Sequence, residues 1–359
     1  MPEILPSTLA WLITAVLTLY GLTAGAELGA GLWHGLARGR RGVITRLLID
    51  EALSPIWEAN HVWLIFSTVL LFVGFPDAYL WIFEHLHGPL SMGLLALSIR
   101  GAAYVFRRYG RGGALEGRLF GFLFSASSVV ALFAFGWSIA LATTGVLDTH
   151  QPYQLWDLAS VAGIFSILHH AQLAASYLSF ETSFPTLRNA FVERVVALET
   201  AWWLAFAVLL LCLGAKGSPI IDWVMHSTGG HIWFLTFIAL SIGIAVTGAR
   251  HPSLVRLGLI VRTGLISFGW ALSQGRLLIA QLGAAPIDHL TEGSLSDLIT
   301  TLLIGLSLVL PAYFYLLWVF KRPKPSTREL IDAFQKLDPP RPNDSFPGEH
   351  FHRELTKRY

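Results

Sequence analysis

The stretch LAWLITAVLTLYGLTAGAELGAGLW, residues 9–33, decides the class of fold, because Glu27 is its single charged residue. A helix needs about 20 mostly apolar residues to cross the hydrocarbon core of a bilayer, so this stretch predicts a membrane-spanning helix. The whole chain has the same character, with 54% hydrophobic and 13% charged residues, whereas soluble domains average about 25% charged residues. This composition excludes a soluble enzyme, a disordered chain and a fibrous protein.

Similar apolar runs continue along the chain and predict an all-α integral membrane protein. We expect a transmembrane domain over residues 1–322 and a polar, Pro-rich tail over 323–359, in which a stretch near 326–337 is compatible with one short helix. The nine predicted spans lie at roughly 9–33, 53–74, 80–106, 119–145, 156–180, 196–215, 232–248, 255–282 and 297–320.

Arginine and lysine are concentrated in alternate loops. The segments after spans 1, 3, 5 and 7 and the start of the tail are basic, whereas the loops after spans 2, 4 and 8 lack Lys and Arg. The loop after span 6 has only Lys216. Because cytoplasmic loops carry the excess of basic residues, the N-terminus is predicted to be periplasmic and the tail cytoplasmic.

Charge and cysteine content narrow the class further. A net charge of +2 is too small for a nucleic-acid partner. The one cysteine, Cys212, excludes a disulfide framework and a Cys-based metal site within this chain. No basic residue precedes the first apolar run, so we expect span 1 to be a mature membrane helix and not a cleaved signal peptide.

Ionisable side chains lie inside the predicted helices at a similar depth. At 1.5 Å per residue, Glu27 falls in the cytoplasmic third of span 1, one turn past Thr23, and Glu58 lies about two turns into span 2 from the same side. Arg100 on span 3 and Arg262 on span 8 lie at a comparable depth. Charged groups are costly in a membrane and tend to face the protein interior, so we expect these four and the imidazole of His61 to meet in one layer.

A polar stripe on span 2 leaves two interpretations open. Glu51, Ser54, Glu58 and His61 recur at i, i+3, i+7 and i+10, which places them on one face of a helix. In the first interpretation the layer is a buried ion-pair network that fixes helix packing, and its arginines hold the carboxylates ionised. In the second it is a proton route from the cytoplasm, built from acidic groups, histidine and hydroxyls.

Small residues mark one face of span 1. Gly21, Gly25 and Gly29 recur every four residues, and such a series lets a second helix approach closely. We expect these glycines to serve helix packing, which places Glu27 on a tightly docked helix.

Histidine is plentiful, with 13 in the chain. His169 and His170 lie near the middle of span 5, and His61 lies in span 2. Histidines on facing helices can ligate haem iron, but hydrogen-bonded core histidines are the more common case, so no metal site is predicted in this chain. His169 and His170 point about 100° apart on a helix, so at most one can serve a given site.

Several short motifs occur in a fixed order from about residue 10 to 322. Together they resemble those of subunit II of the cytochrome bd quinol oxidases, including the cyanide-insensitive branch. The motifs are TAGAELGAG from Thr23 to Gly31, PIWEANHVWL from Pro55 to Leu64, Phe75-Pro76, IRGAAYVFR from Ile99 to Arg107, AASYL from Ala174 to Leu178, and LPAYFYLLWVFKR at the end of span 9.

This resemblance implies a nine-helix fold of two four-helix bundles plus one extra helix. It also implies a haem-bearing subunit I as partner, which carries the quinol site and the b-type and d-type haems, often with a small single-span subunit. Subunit II usually carries no redox haem and helps to shape a proton route at the interface. We therefore expect no cofactor in this chain other than a bound quinone or lipid.

By the same resemblance, the acidic motif positions are Glu27 and Glu58, with Trp57, Asn60 and Trp63 around the latter. Several departures from the motifs remove or invert polar groups near the cytoplasmic side, so the route is either rebuilt or partly lost. The departures are Ala24 for an Asp, Ala26 for an aromatic residue, Ala59 for a Gly, His61 for a Glu or Gln, Val105 for a Glu and Glu181 for a basic residue.

We therefore predict a non-haem subunit of a bd-type terminal oxidase in the bacterial cytoplasmic (inner) membrane, where the complex oxidises quinol and reduces oxygen to water. The chain is not expected to be catalytic alone. Two alternatives stay open: a b-type cytochrome with haem on His61, His169 or His170, and a proton or small-solute transporter. The predicted proton path comprises Glu58, Glu27, His61, Ser54 and Thr23, supported by Trp57, Asn60, Trp63, Arg100 and Arg262.

Overall fold

A computed structural model describes residues 4–53, 57–109, 114–143, 156–182, 185–248, 251–274 and 292–320. Over these ranges the regular structure is entirely helical. The eleven helices are α1 (Ile4–Leu36), α2 (Gly39–Leu53), α3 (Trp57–Gly74), α4 (Pro76–Tyr109), α5 (Ala114–Thr143), α6 (Trp156–Glu181), α7 (Pro185–Ala215), α8 (Pro219–His226), α9 (Thr228–Thr247), α10 (Pro252–Gln274) and α11 (Glu292–Phe320).

Local sequence explains where many of these helices begin and end. Four of them start at a proline, namely α4, α7, α8 and α10, because proline has the backbone angle of a first helical residue and lacks an N–H that would have no partner there. Gly217, just after α7, has a φ of 69°, which is a conformation that glycine adopts without strain. The Ser227 side chain accepts a hydrogen bond from the backbone of Gly230 and caps α9.

Seven of the described helices are long and apolar enough to cross a membrane. Two shorter apolar stretches, Ala59–Gly74 and Ile299–Tyr315, coincide with the second and ninth predicted spans. The chain is therefore an all-helical, multi-pass membrane protein, while the count of nine spans and their orientation stay predictions. The seven candidates are Thr8–Leu36, Pro76–Arg107, Leu115–Ala142, Trp156–Glu181, Leu187–Ala215, Thr228–Thr247 and Pro252–Ser273.

The contacts between helices fall into two groups. Helices α1, α3, α4 and α5 pack on one another, as do α6, α7, α9 and α10, and α6 joins the groups through its contacts with α1 and α5. Helix α11 lies at the edge against α1 and α3. Helix α1 also contacts α10, and the division into two four-helix bundles plus one extra helix stays a prediction.

Two helices were not anticipated from the sequence. Helix α2 lies in the basic segment after the first span, and α8 lies in the loop after the sixth. Both are too short to span a bilayer, so a search for long apolar runs passes over them. Helix α7 also begins well before the expected start at residue 196. The tail from 323 to 359 and its short helix near 326–337 lie outside the described residues.

Candidate functional site

Glu27 is the centre of one buried polar cluster. Its side chain is 3% exposed, and its Oε1 lies 2.5 Å from Nη1 of Arg100, which is 1% exposed. These two atoms meet as an ion pair, but Oε1 receives no hydrogen bond in favourable geometry. The other carboxylate oxygen, Oε2, accepts a hydrogen bond of 2.8 Å from Nδ2 of Asn60. Helices α1, α3 and α4 therefore meet at one carboxylate.

Arg100 has further partners besides Glu27. Its Nε donates to Ser128 Oγ on α5 at 3.0 Å, and its Nη2 lies 3.5 Å from the backbone oxygen of Glu27. Its guanidinium carbon also lies 4.8 Å from the centre of the Phe124 ring. The arginine is therefore held by contacts that do not depend on the charge of the Glu27 side chain.

Asn60 links this cluster to α11. The hydroxyl of Tyr313 donates to Asn60 Oδ1 at 3.3 Å, and the Tyr313 ring packs edge-on against Trp63 with 5.1 Å between ring centres. Asn60 and Trp63 are both buried. We refer to Glu27, Arg100, Asn60, Ser128 and Tyr313 as the Glu27 cluster.

Other residues of the predicted proton path lie beside this cluster without joining its hydrogen bonds. His61 is half-buried, and its Nδ1 is 3.5 Å from the hydroxyl of Tyr20. The Thr23 hydroxyl donates to the backbone oxygen of Leu19 in its own helix. Thr23 is thus partnered within α1.

The second acidic motif is only partly described. Glu58 and Trp57 lie in the first turn of α3, and nothing further is described of their side chains. Ser54 lies outside the described residues, between α2, which carries Glu51, and α3. The common face expected of Glu51, Ser54, Glu58 and His61 therefore stays a prediction.

Arg262 corrects the expectation of a single layer. Its Nη1 pairs with Oε1 of Glu199 at 2.6 Å, and its Nη2 donates to Gln172 Oε1. Gln172 closes the ring, since its Nε2 donates to Glu199 Oε2 at 2.8 Å. The described side-chain partners of Arg262 thus lie on α6, α7 and α9, and Glu27 is not among them.

Aromatic packing covers this second cluster. The Arg262 guanidinium carbon lies 4.0 Å from the ring centre of Trp202, and Ser241 Oγ is 3.4 Å from Arg262 Nη1. Arg262 and Trp202 are fully buried, and Glu199 is 6% exposed. We refer to Glu199, Arg262, Gln172, Ser241 and Trp202 as the Glu199 cluster.

Sequence reasoning passed over Glu199 because it lies close to the predicted start of span 6, where a carboxylate can reach water. The useful signal was an acidic residue within the run VALETAWW, residues 196–203. A run of this kind predicts a buried partner for the acid. In the structure α7 extends to Pro185, so Glu199 lies well inside the helix.

A third polar group at the end of α1 was also missed. Arg107 pairs with Asp50, and its Nη1 lies 2.6 Å from Nε2 of His34. Nδ1 of His34 is 3.0 Å from Ser125 Oγ, and that hydroxyl donates to the backbone oxygen of Gly121. His34 therefore donates through Nδ1 and accepts from Arg107, which makes it a neutral side chain that anchors α4 and α5 to α1.

The two central histidines have partners of their own. Trp202 Nε1 donates to His169 Nδ1 at 3.2 Å, and His169 Nε2 lies 3.0 Å from Thr263 Oγ1. Both ring nitrogens of His169 are thus engaged, which does not fit a haem ligand. His170 uses Nδ1 on the backbone oxygen of Ser166. Within the described ranges, no three His, Cys, Asp or Glu side chains are grouped to hold a metal ion.

The glycines of α1 differ in their surroundings. A Cβ on Gly25 would overlap the His170 side chain, and a Cβ on Gly29 would overlap the backbone oxygen of His170, whereas Gly21 has no atom within 4 Å of that position. Helix α6 therefore approaches α1 at Gly25 and Gly29, but not at Gly21.

The departures from the family motifs also have defined places. Ala24 and Ala26 are buried in the interior of α1, whereas Val105 on α4 is 40% exposed. Ala59 and Glu181 are half-buried. The missing carboxylate at position 105 is therefore on an outward-facing part of the chain, away from Glu27.

Taken together, these features define a multi-pass helical membrane protein with buried Glu–Arg clusters in its interior. The sequence model of the family described as Cytochrome bd terminal oxidase subunit II matches residues 5–320. The chain belongs to this family, and with it to the subunits of respiratory oxidoreductase complexes.

Curated relatives match over a shorter stretch. Cytochrome bd ubiquinol oxidase subunit 2 of Bacillus subtilis is 31% identical over 99 residues, which cover 27% of this chain and 29% of the relative. Cytochrome bd-I ubiquinol oxidase subunit 2 of Escherichia coli K12 is 30% identical over 98 residues, which cover 27% of this chain and 25% of the relative. The matched segments thus span less than a third of either relative.

The fold extends much further than this sequence similarity. A chain in the structure of bd oxidase from Geobacillus thermodenitrificans superposes with a TM-score of 0.72 at 18% identity, covering 88% of this chain and 98% of that chain. At this identity the likeness concerns the fold alone. It agrees with the helix arrangement described above.

Proposed function

We propose that this chain is the non-haem subunit of a bd-type terminal oxidase, and that it carries part of a proton route from the cytoplasm towards a haem-bearing subunit I. The partner's haems supply the redox chemistry in which quinol is oxidised and oxygen is reduced to water. This chain supports the partner in the bacterial cytoplasmic membrane, with a small single-span subunit and lipids as further partners. The observation that carries the proposal is the Glu27 cluster.

The first supporting feature is the unequal use of the two Glu27 oxygens. Oε2 accepts a hydrogen bond from Asn60, whereas Oε1 has an ion pair but no hydrogen bond in favourable geometry. A carboxylate beside an arginine is favoured in its ionised form, so a proton must compete with Arg100. Oε1 faces the Arg100 guanidinium, so the proton is taken up on Oε2, where the Asn60 amide is the neighbour.

The second feature is that Arg100 keeps partners when Glu27 is neutral. Ser128 Oγ and the Glu27 backbone oxygen both lie within reach of the guanidinium. A buried charge is costly when all its partners are lost, but here two of them are independent of the carboxylate. The cluster can therefore accommodate Glu27 in its ionised and in its neutral form, while Arg100 stays in the same place.

The experiment exchanges carboxylates for amides of the same shape in the purified complex. We expect Glu58→Gln and Glu27→Gln each to lower quinol-oxidase turnover by about tenfold or more, equivalent to roughly 1.4 kcal/mol in the barrier. Haem spectra and yield of the complex measure assembly and should be preserved. The matched control is Glu199→Gln, which should retain the turnover of the parent complex in whatever fraction assembles.

Unchanged turnover in Glu58→Gln would remove that residue from the route, and unchanged turnover in both acidic variants would remove the route itself. A reduced-minus-oxidised spectrum of the chain stripped of partners tests the non-haem assignment. We expect haem bands in the complex and none in the stripped chain. Stoichiometric haem in the stripped chain would instead support the b-type cytochrome alternative.

A further inference from the structure

Tyr313 is the polar contact between α11 and the Glu27 cluster. It is half-buried, with its ring against Trp63 and its hydroxyl 3.3 Å from Asn60 Oδ1. Its neighbours Phe314 and Tyr315 are 62% and 65% exposed. Tyr313 is therefore the side chain of this turn that faces inward.

Asn60 lies between Glu27, which needs a hydrogen-bond donor, and the Tyr313 hydroxyl, which donates and needs an acceptor. An ionised carboxylate only accepts hydrogen bonds, so Glu27 requires the NH₂ side of the Asn60 amide. The oxygen side then faces Tyr313, whose O–H donates to it. The orientation of this buried amide is thus set by the charge of Glu27 at one end and by the hydroxyl at the other.

A proton on Oε2 of Glu27 reverses these demands. The neutral acid becomes a donor, and it would then face the NH₂ group of Asn60, which is also a donor. Rotation of the amide by half a turn brings Oδ1 to the acid and Nδ2 to Tyr313. The Tyr313 oxygen then accepts from Nδ2, so both ends of the Asn60 amide stay paired, as buried polar groups require, and the Tyr313 O–H no longer donates to Asn60.

We propose that Asn60 and Tyr313 form a proton-dependent hydrogen-bond switch, in which protonation of Glu27 turns the Asn60 amide and changes the Tyr313 hydroxyl from donor to acceptor. Tyr313 is a positioning residue in this switch, because it acts on Glu27 through Asn60. The switch transmits the protonation state of α1 to α11. The inference rests on the proposed function in one respect, namely that Glu27 changes its protonation state.

Other charged or titratable groups also lie around Glu27. They come from several of the helices packed around it, and all except Tyr313 are kept constant in the variants below. They are Arg100 on α4, His61 on α3, Tyr177 on α6, Tyr313 on α11 and Tyr20 on α1 itself.

The test is infrared difference spectroscopy of the purified complex between a state with ionised Glu27 and a state with neutral Glu27. A tyrosine whose hydroxyl changes from donor to acceptor shifts its C–O stretching band. We expect this band in the parent, and its loss in Tyr313→Phe and in Glu27→Gln. Tyr315→Phe, two residues along the same helix, is the matched control and should keep the band.

Tyr313→Phe retains the ring on Trp63 and removes one oxygen, so the complex should assemble. Asn60→Leu is a second variant, close in shape, that should lose the same band. Turnover should fall roughly fivefold in Tyr313→Phe, as expected for the loss of one hydrogen bond, and stay unchanged in Tyr315→Phe. No tyrosine band in the parent, or a band that survives in Tyr313→Phe or Glu27→Gln, would overturn the switch.

These results separate the switch from the proton route. A tyrosine band that behaves as expected, together with unchanged turnover in both Glu27→Gln and Glu58→Gln, would overturn the route and leave the switch. Absence of the band, together with a large fall of turnover in Glu27→Gln, would overturn the switch and leave the route.

Discussion

The Glu27 and Glu199 clusters are built from the same ion pair, but their other partners differ. Around Glu199, both carboxylate oxygens accept hydrogen bonds, one from Arg262 and one from Gln172. Gln172 also accepts from Arg262, so the three side chains close on themselves. Around Glu27, Asn60 accepts from Tyr313 on a peripheral helix, so the hydrogen bonds continue outwards.

This difference separates a structural pair from a candidate for proton transfer. Both Glu199 oxygens already accept hydrogen bonds in the ring that packs under Trp202, so neither is an unused acceptor for a proton. The Glu27 carboxylate keeps one oxygen without a well-oriented donor, and its neighbours can exchange donor and acceptor roles. The ring at Glu199 fits the interpretation as an ion-pair network that fixes helix packing, whereas the proton route through Glu27 stays a proposal.

The largest loss of stability is expected from a variant of the Glu199 cluster. Arg262→Leu leaves the Glu199 carboxylate buried with Gln172 but without its counter-charge. Removing one partner of a buried pair costs about 3–5 kcal/mol, so we expect most of the folded complex to be lost. Thermal unfolding of the purified complex, followed by tryptophan fluorescence, measures the change.

The control for Arg262→Leu removes both charges together. In the double variant Glu199→Leu with Arg262→Leu, no uncompensated charge remains, and replacement of a buried pair by apolar residues is often close to neutral. We expect the double variant to recover most of the lost stability. A double variant as unstable as the single one would contradict the structural role assigned to this pair.

The sequence predicts the membrane class, the family and the burial of Glu27 and Arg100, because apolar run length and depth are properties of single helices. It does not predict which charges meet. Arg262 and Arg100 lie at a comparable predicted depth, yet their acids are on different helices, since pairing depends on which helices face each other. Tyr313 was missed for the same reason.

Helix α6 lies between the two clusters, and its contact with α1 provides the second test. Gly29→Ala places a methyl group against the backbone of His170, which cannot rotate away. Overpacking of this kind costs typically about 1–3 kcal/mol, so we expect a lower unfolding temperature and lower turnover, because Glu27 lies on α1. Gln172 of the Glu199 cluster is on α6, so the variant also shows whether a displacement of α6 from α1 disturbs the Glu199 cluster.

Gly21→Ala is the matched control for this packing effect, since no atom lies within 4 Å of the added carbon. Alanine is the better helix former by up to about 1 kcal/mol, so this variant should be as stable as the parent or slightly more stable. A loss of stability in Gly21→Ala equal to that in Gly29→Ala would show that close approach of α6 is not the cause.

The smallest expected effect compares the two serines that face the arginines. Ser128 Oγ accepts from Arg100 Nε at 3.0 Å, whereas Ser241 Oγ is 3.4 Å from Arg262 Nη1. Ser128→Ala leaves the buried N–H of Arg100 without an acceptor, at a cost of about 1–3 kcal/mol. We expect the loss of stability to lie near the lower value, because Arg100 retains its ion pair with Glu27. Ser241→Ala removes a longer and weaker contact, so its effect on the unfolding temperature should be smaller.

Turnover extends the serine comparison from stability to function. Ser128 is one of the two groups that hold Arg100 when Glu27 is neutral, so Ser128→Ala should slow turnover of the assembled complex, whereas Ser241→Ala should leave it unchanged. Equal turnover in the two variants would mean that Arg100 does not need a second partner during the reaction. In that case the Glu27 cluster would be as fixed as the Glu199 cluster, and the distinction between them would no longer hold.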